Sequence, residues 1–468
     1  MKSGSAQAPF EIRYIWWALG IATFAGFAVG AHVASVIGFG LPLGKLFTTY
    51  VQMHGHLQLV GWAGLFIVSI SLHFVPRLAG VPLEKPEQIH QILWTLVAGL
   101  LLRFVSCSFL PYLTGTSLFK VATAAAVVSG GLEWVGILLY VRLLTKTVLA
   151  VRRRGTTSVL QSVRPFFLMM LTGWLLYATL NLFLLMEMML RQRITLNPGW
   201  NELGVHLFLN LVLLPVIFAF SVRLFPLYLR LSAIDWRVDR LAICFLASVL
   251  LYLVPKVPVI AALPGKSAEN LSHVGLLFRG LVILAFVWKL DLLTRRRPPW
   301  TVNRVLEPGP ERRPTRPGLP DYGEFGSFEK LVYGAYFWLV LAALLEIAGA
   351  TTFLLGRAFA VSTDAIRHLY LLGLVTQLIL GMAPRMIPGF LKKKRIAFPR
   401  LVIVTFWLVN LAVLCRVLPL LLPAPWLAAF PTAAQIASSL FGISGVVAMA
   451  AIIVLARNLI ATAKATET

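Results

Sequence analysis

A chain of 468 residues that is 59% hydrophobic and only 13% charged is too apolar for soluble domains, which carry about 25% charged residues. Its net charge of +24 would suit nucleic acid, but the basic residues fall in loops between long apolar runs, which excludes that partner in favour of a lipid bilayer. Cys107, Cys244 and Cys415 stand far apart, make neither a disulfide framework nor a zinc site, and read as small packing residues.

In chain order, twelve apolar runs are predicted as membrane-spanning helices, at 14–38, 53–76, 89–111, 119–145, 165–189, 203–227, 238–260, 270–293, 329–356, 364–388, 399–422 and 432–461. Each is long enough for a helix to cross a hydrocarbon layer of about 30 Å. The first is too long for the core of a signal peptide and no small-residue cleavage site follows, so it is read as a retained span. Pro255, Pro258 and Pro264 crowd the end of the seventh. Alternate loops carry Arg152–Arg154, then Arg230, Arg237 and Arg240, then Arg295–Arg297, then Lys392–Arg395. The opposite loops hold only scattered cations such as Lys45, Lys120 and Lys266. This asymmetry predicts a bacterial inner-membrane protein with both termini in the cytoplasm.

The predicted fold is all-α, a polytopic membrane protein of about twelve transmembrane helices built as three repeats of four. The expected segments are 1–160, 161–293 and 329–468, with an Arg- and Pro-rich cytoplasmic linker at 294–328. The repeat rests on the second span of each set. His56 is followed seventeen residues later by His73 and then Pro76; His206 by Arg223 and Pro226; His368 by Arg385 and Pro388. Seventeen helical residues rise about 25 Å, so each first histidine lies near one membrane surface and each partner near the other. There the arginines reach the interface and proline is expected to end the helix.

With the N-terminus inside, His32, His54, His56, His206, His273 and His368 all fall toward the periplasmic level, and only His73 and His90 toward the cytoplasm. Ionisable groups inside a membrane are costly and mark function, and neutral imidazole binds haem iron, copper and zinc. His54, His56, His206 and His368 are the candidate cofactor ligands. His54 and His56 point about 200° apart on one helix and can serve two sites. One arrangement sets His56 with His368 at a haem and His54 with His206 at a second haem or metal. His32 and His273 are further candidates, for copper. No C-x-x-C-H motif occurs, so any haem is non-covalent, of b type. Glu133, Glu187 and Glu346 lie within spans and can bind metal, relay protons, or pair with buried groups such as Arg103 or Asn181. Asn210, one turn after His206, is a candidate to support that histidine.

HGHLQLVGWAGLFIVSISLHFVPRLAG, from His54 to Gly80, and HLYLLGLVTQLILGMAPRMIPGF, from His368 to Phe390, resemble the NnrS family of membrane haem-copper proteins. The features carrying the resemblance are the H-x-H pair, Gly61, Trp62, Pro76, His368, Met382 and Arg385. The resemblance implies haem and copper, nitric oxide as a ligand, and a role in nitric oxide stress. The layout is also distantly similar to the catalytic subunit of haem-copper oxidases. Departures from the oxidases are plain: there is no adjacent His-His pair, Asn210 stands where His-x-x-x-Tyr would need tyrosine, and the H-x-H lies on span two rather than span ten. Leu57 and Gln58 also stand where the family leads one to expect a carboxylate. Two other classes remain open. A divergent respiratory nitric oxide reductase would use Glu187 or Glu346 beside histidine. A twelve-span secondary transporter would place its polar residues near the midplane.

Overall fold

In lipid every backbone N–H and C=O must be satisfied within the chain, and an apolar run of this length does so by coiling. The computed structural model describes residues 10–153, 159–297, 323–357 and 361–465, and no strand occurs among them. Its twelve long apolar helices are α1 (Arg13–Gly38), α2 (Phe47–Ala79), α3 (Gln88–Leu113), α4 (Ser117–Leu149), α5 (Leu160–Leu190), α6 (Pro198–Tyr228), α7 (Val238–Lys256), α8 (Ser267–Leu290), α9 (Phe328–Leu354), α10 (Thr363–Phe390), α11 (Pro399–Leu421) and α12 (Pro431–Lys464). All twelve expected spans are present. Of the linker expected at 294–328, residues 298–322 lie outside the described residues.

Several boundaries differ from expectation, for physical reasons. α2 begins at Phe47 rather than near residue 53, so His54 and His56 lie two turns inside the helix. The polar lead FTTYVQ is held by Gln52, whose amide donates to Leu196 O (3.0 Å) and accepts from Leu196 N (2.9 Å). Nor does proline end the marked spans at once. Pro76, Pro226 and Pro388 all lie inside their helices, which run on two or three residues to Ala79, Tyr228 and Phe390. A proline near a helix end removes one hydrogen bond without stopping the last turn. α7, by contrast, stops at Lys256, where Pro255 and Pro258 close together leave only a short helix, Pro258–Ala261.

Close contacts divide the chain into two compact units, Met1–Val216 with Leu253–Ser272, and Ile217–Tyr252 with His273–Thr468. In the first unit α3 packs along α4 and α4 along α5. In the second α11 packs along α12 and α9 along α10. Phe24, Val121, Ile243 and Trp407 face outward, while Ser129, Asn210, Gln377 and Arg279 are enclosed. Apolar outside and polar inside is the pattern of a protein solvated by lipid.

Burial sets three helices apart. In α2, α6 and α10, 89%, 83% and 78% of the apolar core is buried, against 39% to 56% in the other nine spans. The same three each carry a π-helical stretch immediately after or one residue beyond the marked histidine: Leu57–Gly64 after His56, Phe208–Leu213 after His206, Leu369–Thr376 after His368. α1 carries another, Ala22–Phe27. π turns are rare and concentrate at functional sites.

In the second unit, Asn458 of α12 fastens the start of α11. Its amide accepts from Phe398 N and donates to Phe398 O, both at 2.9 Å. Asn458→Leu strips both partners from the part-buried backbone of Phe398. It is expected to destabilise the protein by about 1–3 kcal/mol, read as a lower midpoint of thermal unfolding in detergent micelles.

Candidate functional site

The first unit buries a polar chain across three helices. Glu133 of α4 accepts from His56 Nε2, at 2.9 Å to Oε2 and 3.1 Å to Oε1. The Tyr177 hydroxyl of α5 lies 3.0 Å from His56 Nδ1, and the two rings are stacked nearly parallel. Gly99 of α3 makes the approach of α4 possible, since a Cβ there would come within 2.8 Å of Glu133 Cγ. Beside them Arg103 Nη2 donates to Asn181 Oδ1 at 3.3 Å, and Arg103 Nη1 has no hydrogen-bond partner among the described residues. Carboxylate, imidazole and phenol within hydrogen-bond reach can hold or pass a proton. His56, an expected ligand, here has both ring nitrogens engaged.

His54, on the other side of the same helix, is held differently. Its Nδ1–H donates to Gly26 O at 2.8 Å, within the π-helical stretch of α1. That bond fixes the tautomer with the lone pair on Nε2, the arrangement typical of a metal-binding histidine. The ring lies over Gly30, where a Cβ would be 2.3 Å from His54 Cε1. His206 is buried, with Nε2 3.5 Å from Glu202 Oε1. Asn210 donates to the backbone carbonyl of His206 at 2.7 Å.

The second unit holds His368 near the start of α10. Its Nδ1–H donates to Asp364 O at 2.8 Å, again leaving the lone pair on Nε2. The Asp364 carboxylate lies 3.3 Å from the same nitrogen and pairs at 3.2 Å with Arg416 of α11, whose guanidinium sits over Phe441. Deeper in α10, the Tyr370 hydroxyl donates to Glu346 Oε2 at 2.8 Å, and Arg279 of α8 pairs with Glu346 Oε1. Arg279 also lies over the Tyr252 and Tyr370 rings. Near the far end of α10, Arg385 is sandwiched between Tyr228 and Phe325.

The other candidates occupy simpler settings. Glu187 pairs with Arg191 (3.0 Å) and Arg193 (3.7 Å) at the end of α5 and is partly exposed, unlike Glu133 and Glu346. His32 is exposed and meets Tyr50 edge-on; His273 stacks on Phe353 with centroids 3.7 Å apart. Among the described residues no group of three or more His, Cys, Asp or Glu side chains could hold a metal ion. Arg279 was not singled out by the sequence reading, although an arginine inside an apolar run is itself a signal.

No family model and no curated protein matches the sequence. Among solved structures, the chain is similar to a heme-copper terminal oxidase seen as a dimer by cryo-EM. The TM-score is 0.64 at 12% identity, over 97% of this chain and 85% of that one. At that identity the likeness is one of fold. The chain is an all-helical membrane protein with a haem-copper-oxidase-like arrangement of twelve spans.

Three substitutions test the geometry. Arg279→Met leaves Glu346 buried without its cation and is expected to cost roughly 3–5 kcal/mol, while adding Glu346→Leu recovers most of the loss, as read by thermal unfolding. Gly30→Val forces the His54 ring out of place. If His54 binds a cofactor, binding falls while helix content by circular dichroism is kept.

Proposed function

We propose that this chain is an integral membrane haem protein of the NnrS type, holding b-type haem through imidazoles of its most enclosed helices, with nitric oxide as the ligand it meets. The carrying observation is His368, held by Nδ1 on a backbone carbonyl so that Nε2 keeps its lone pair, on a helix that is 78% buried. His54 is poised in the same way, and His206 is buried on α6. These residues would fit the role of haem ligands. Bound haem would supply an iron able to take a diatomic ligand. The chain's own part is to orient the rings and exclude water. The Glu133–His56–Tyr177 chain adds a buried place for a proton.

The positive-inside asymmetry supports an inner-membrane protein with both termini cytoplasmic and the histidines toward the periplasm. The three π-helical stretches that follow His56, His206 and His368 support three repeats of four helices. Copper fits the described residues less well, because neither His32 nor His273 belongs to a group of three ligating side chains. A second reading, an oxidase-like enzyme reducing nitric oxide, is favoured by the Glu133 carboxylate against His56.

The test is an optical spectrum of the purified full chain, oxidised and dithionite-reduced, with metal analysis of the same sample. The expected result is a Soret band with sharp reduced α-bands, lost in His368→Ala and in His54→Ala and shifted by nitric oxide. In His56→Ala, loss of the bands assigns that residue to iron, and their retention assigns it to the Glu133 pair. Copper at one per chain would restore the copper site. A colourless, metal-free protein from haem-replete cells overturns the reading.

A further inference from the structure

A groove of about 440 Å³ lies between α8 and α9, lined by Leu284, Val287, Trp288, Leu293, Thr294 and Val340. Its volume is that of a typical small-molecule site, but its lining is apolar except for Thr294. Trp288 and Leu293 are exposed along it, as are Leu281 and Leu344 on the same helices.

The segment that flanks the groove at Trp288, Leu293 and Thr294 is strongly basic. Lys289, Arg295, Arg296 and Arg297 follow one another at the end of α8 and in the turn after it. The Arg296 guanidinium stands 3.5 Å from the centroid of the Trp288 ring, donates to Trp288 O at 2.8 Å and to Thr294 Oγ1 at 3.2 Å. Arg295 donates to Leu229 O and to the Tyr333 hydroxyl. The carboxylates facing these cations are Asp291, 3.4 Å from Arg296 and 3.7 Å from Arg297, and Asp235, 2.5 Å from Arg297. Burial alone would raise the Asp291 carboxyl. The Thr294 hydroxyl and the backbone N–H groups of Arg296 and Arg297 outweigh it and bring it down to about 2. Both carboxylates are therefore already committed at neutral pH, and four cations face two anions.

We propose that this groove binds one anionic phospholipid, its phosphate on Lys289 and Arg296 and one acyl chain along Leu284, Trp288 and Val340. The juxtaposition selects the ligand. An apolar slot alone accepts any lipid tail, whereas a surplus of cations beside it favours a headgroup of net negative charge over a zwitterionic one. Each cation near an anionic lipid contributes about fivefold in affinity. Arg296 stacked on Trp288 joins the two halves of the site, because the ring forms the wall of the slot and the edge of the charged segment. The inference does not depend on the haem reading.

The test uses the full chain in detergent micelles, with native mass spectrometry after adding phosphatidylglycerol or phosphatidylcholine of matched acyl chains. Phosphatidylglycerol adducts are expected to survive collisional activation that strips phosphatidylcholine. Lys289→Gln and Arg296→Gln are each expected to weaken phosphatidylglycerol retention about fivefold and leave phosphatidylcholine unchanged. Val340→Trp fills the slot with every cation intact and should weaken both lipids. Should Arg296→Gln fail to fold, the wild-type comparison and Val340→Trp still decide. Equal retention of the two lipids overturns the proposal. So does displacement of phosphatidylglycerol by inorganic phosphate with no effect of Val340→Trp, which would mark a bare anion site. A chain dimer lost in Val340→Trp would assign the groove to a second copy and overturn it as well.

Discussion

A polar group in hydrocarbon has no water to fall back on, and leaving it without a partner costs more than any single packing contact returns. That constraint shapes this molecule twice. It turns nearly every described apolar residue into helix, and it draws the polar side chains into the interior. Arg279, Glu346, Glu133 and His56 are tolerated there because each faces another group of complementary chemistry. The outer faces of α1, α4, α7 and α11 are left to residues such as Phe24, Val121, Ile243 and Trp407.

The buried carboxylates of Glu346 and Glu133 are equipped differently. Glu346 meets a guanidinium, which keeps its charge under any condition the protein meets, and a phenol that donates to it. Such a pair is fixed, and its role is to hold α8, α9 and α10 together. Glu133 meets an imidazole, and that imidazole reaches on to Tyr177. The same carboxylate chemistry thus makes a rivet in one unit and the end of a hydrogen-bonded chain of side chains in the other.

Much of this was legible in the sequence. Twelve apolar runs became twelve helices, because length and hydropathy are local properties. Glu133 and His56 were both marked as intramembrane ionisable residues, but their meeting depends on Gly99 admitting α4 to α3, which no spacing along the chain reveals. The early start of α2 was hidden for a similar reason, since the polar lead FTTYVQ is helical only because Gln52 finds Leu196 a long way along the chain. Which nitrogen of His54 or His368 holds a proton is set by carbonyls of Gly26 and Asp364, and it needs coordinates. The prolines misled on boundaries because the rule that proline breaks helices is weakest in the last turn.

The widened turns after His56, His206 and His368 carry a consequence for how such a protein can change over time. A π-helical stretch accommodates a residue more than a regular helix would need. Losing a single codon there would let the helix close up as ordinary α-helix while keeping its histidine end and its proline end in register. In most membrane spans a one-residue deletion misaligns a whole packed face. In α2, α6 and α10 the widened turn would absorb it, leaving both the imidazole and Arg223 or Arg385 where they were, so single-residue length variation in related chains should gather at these three stretches.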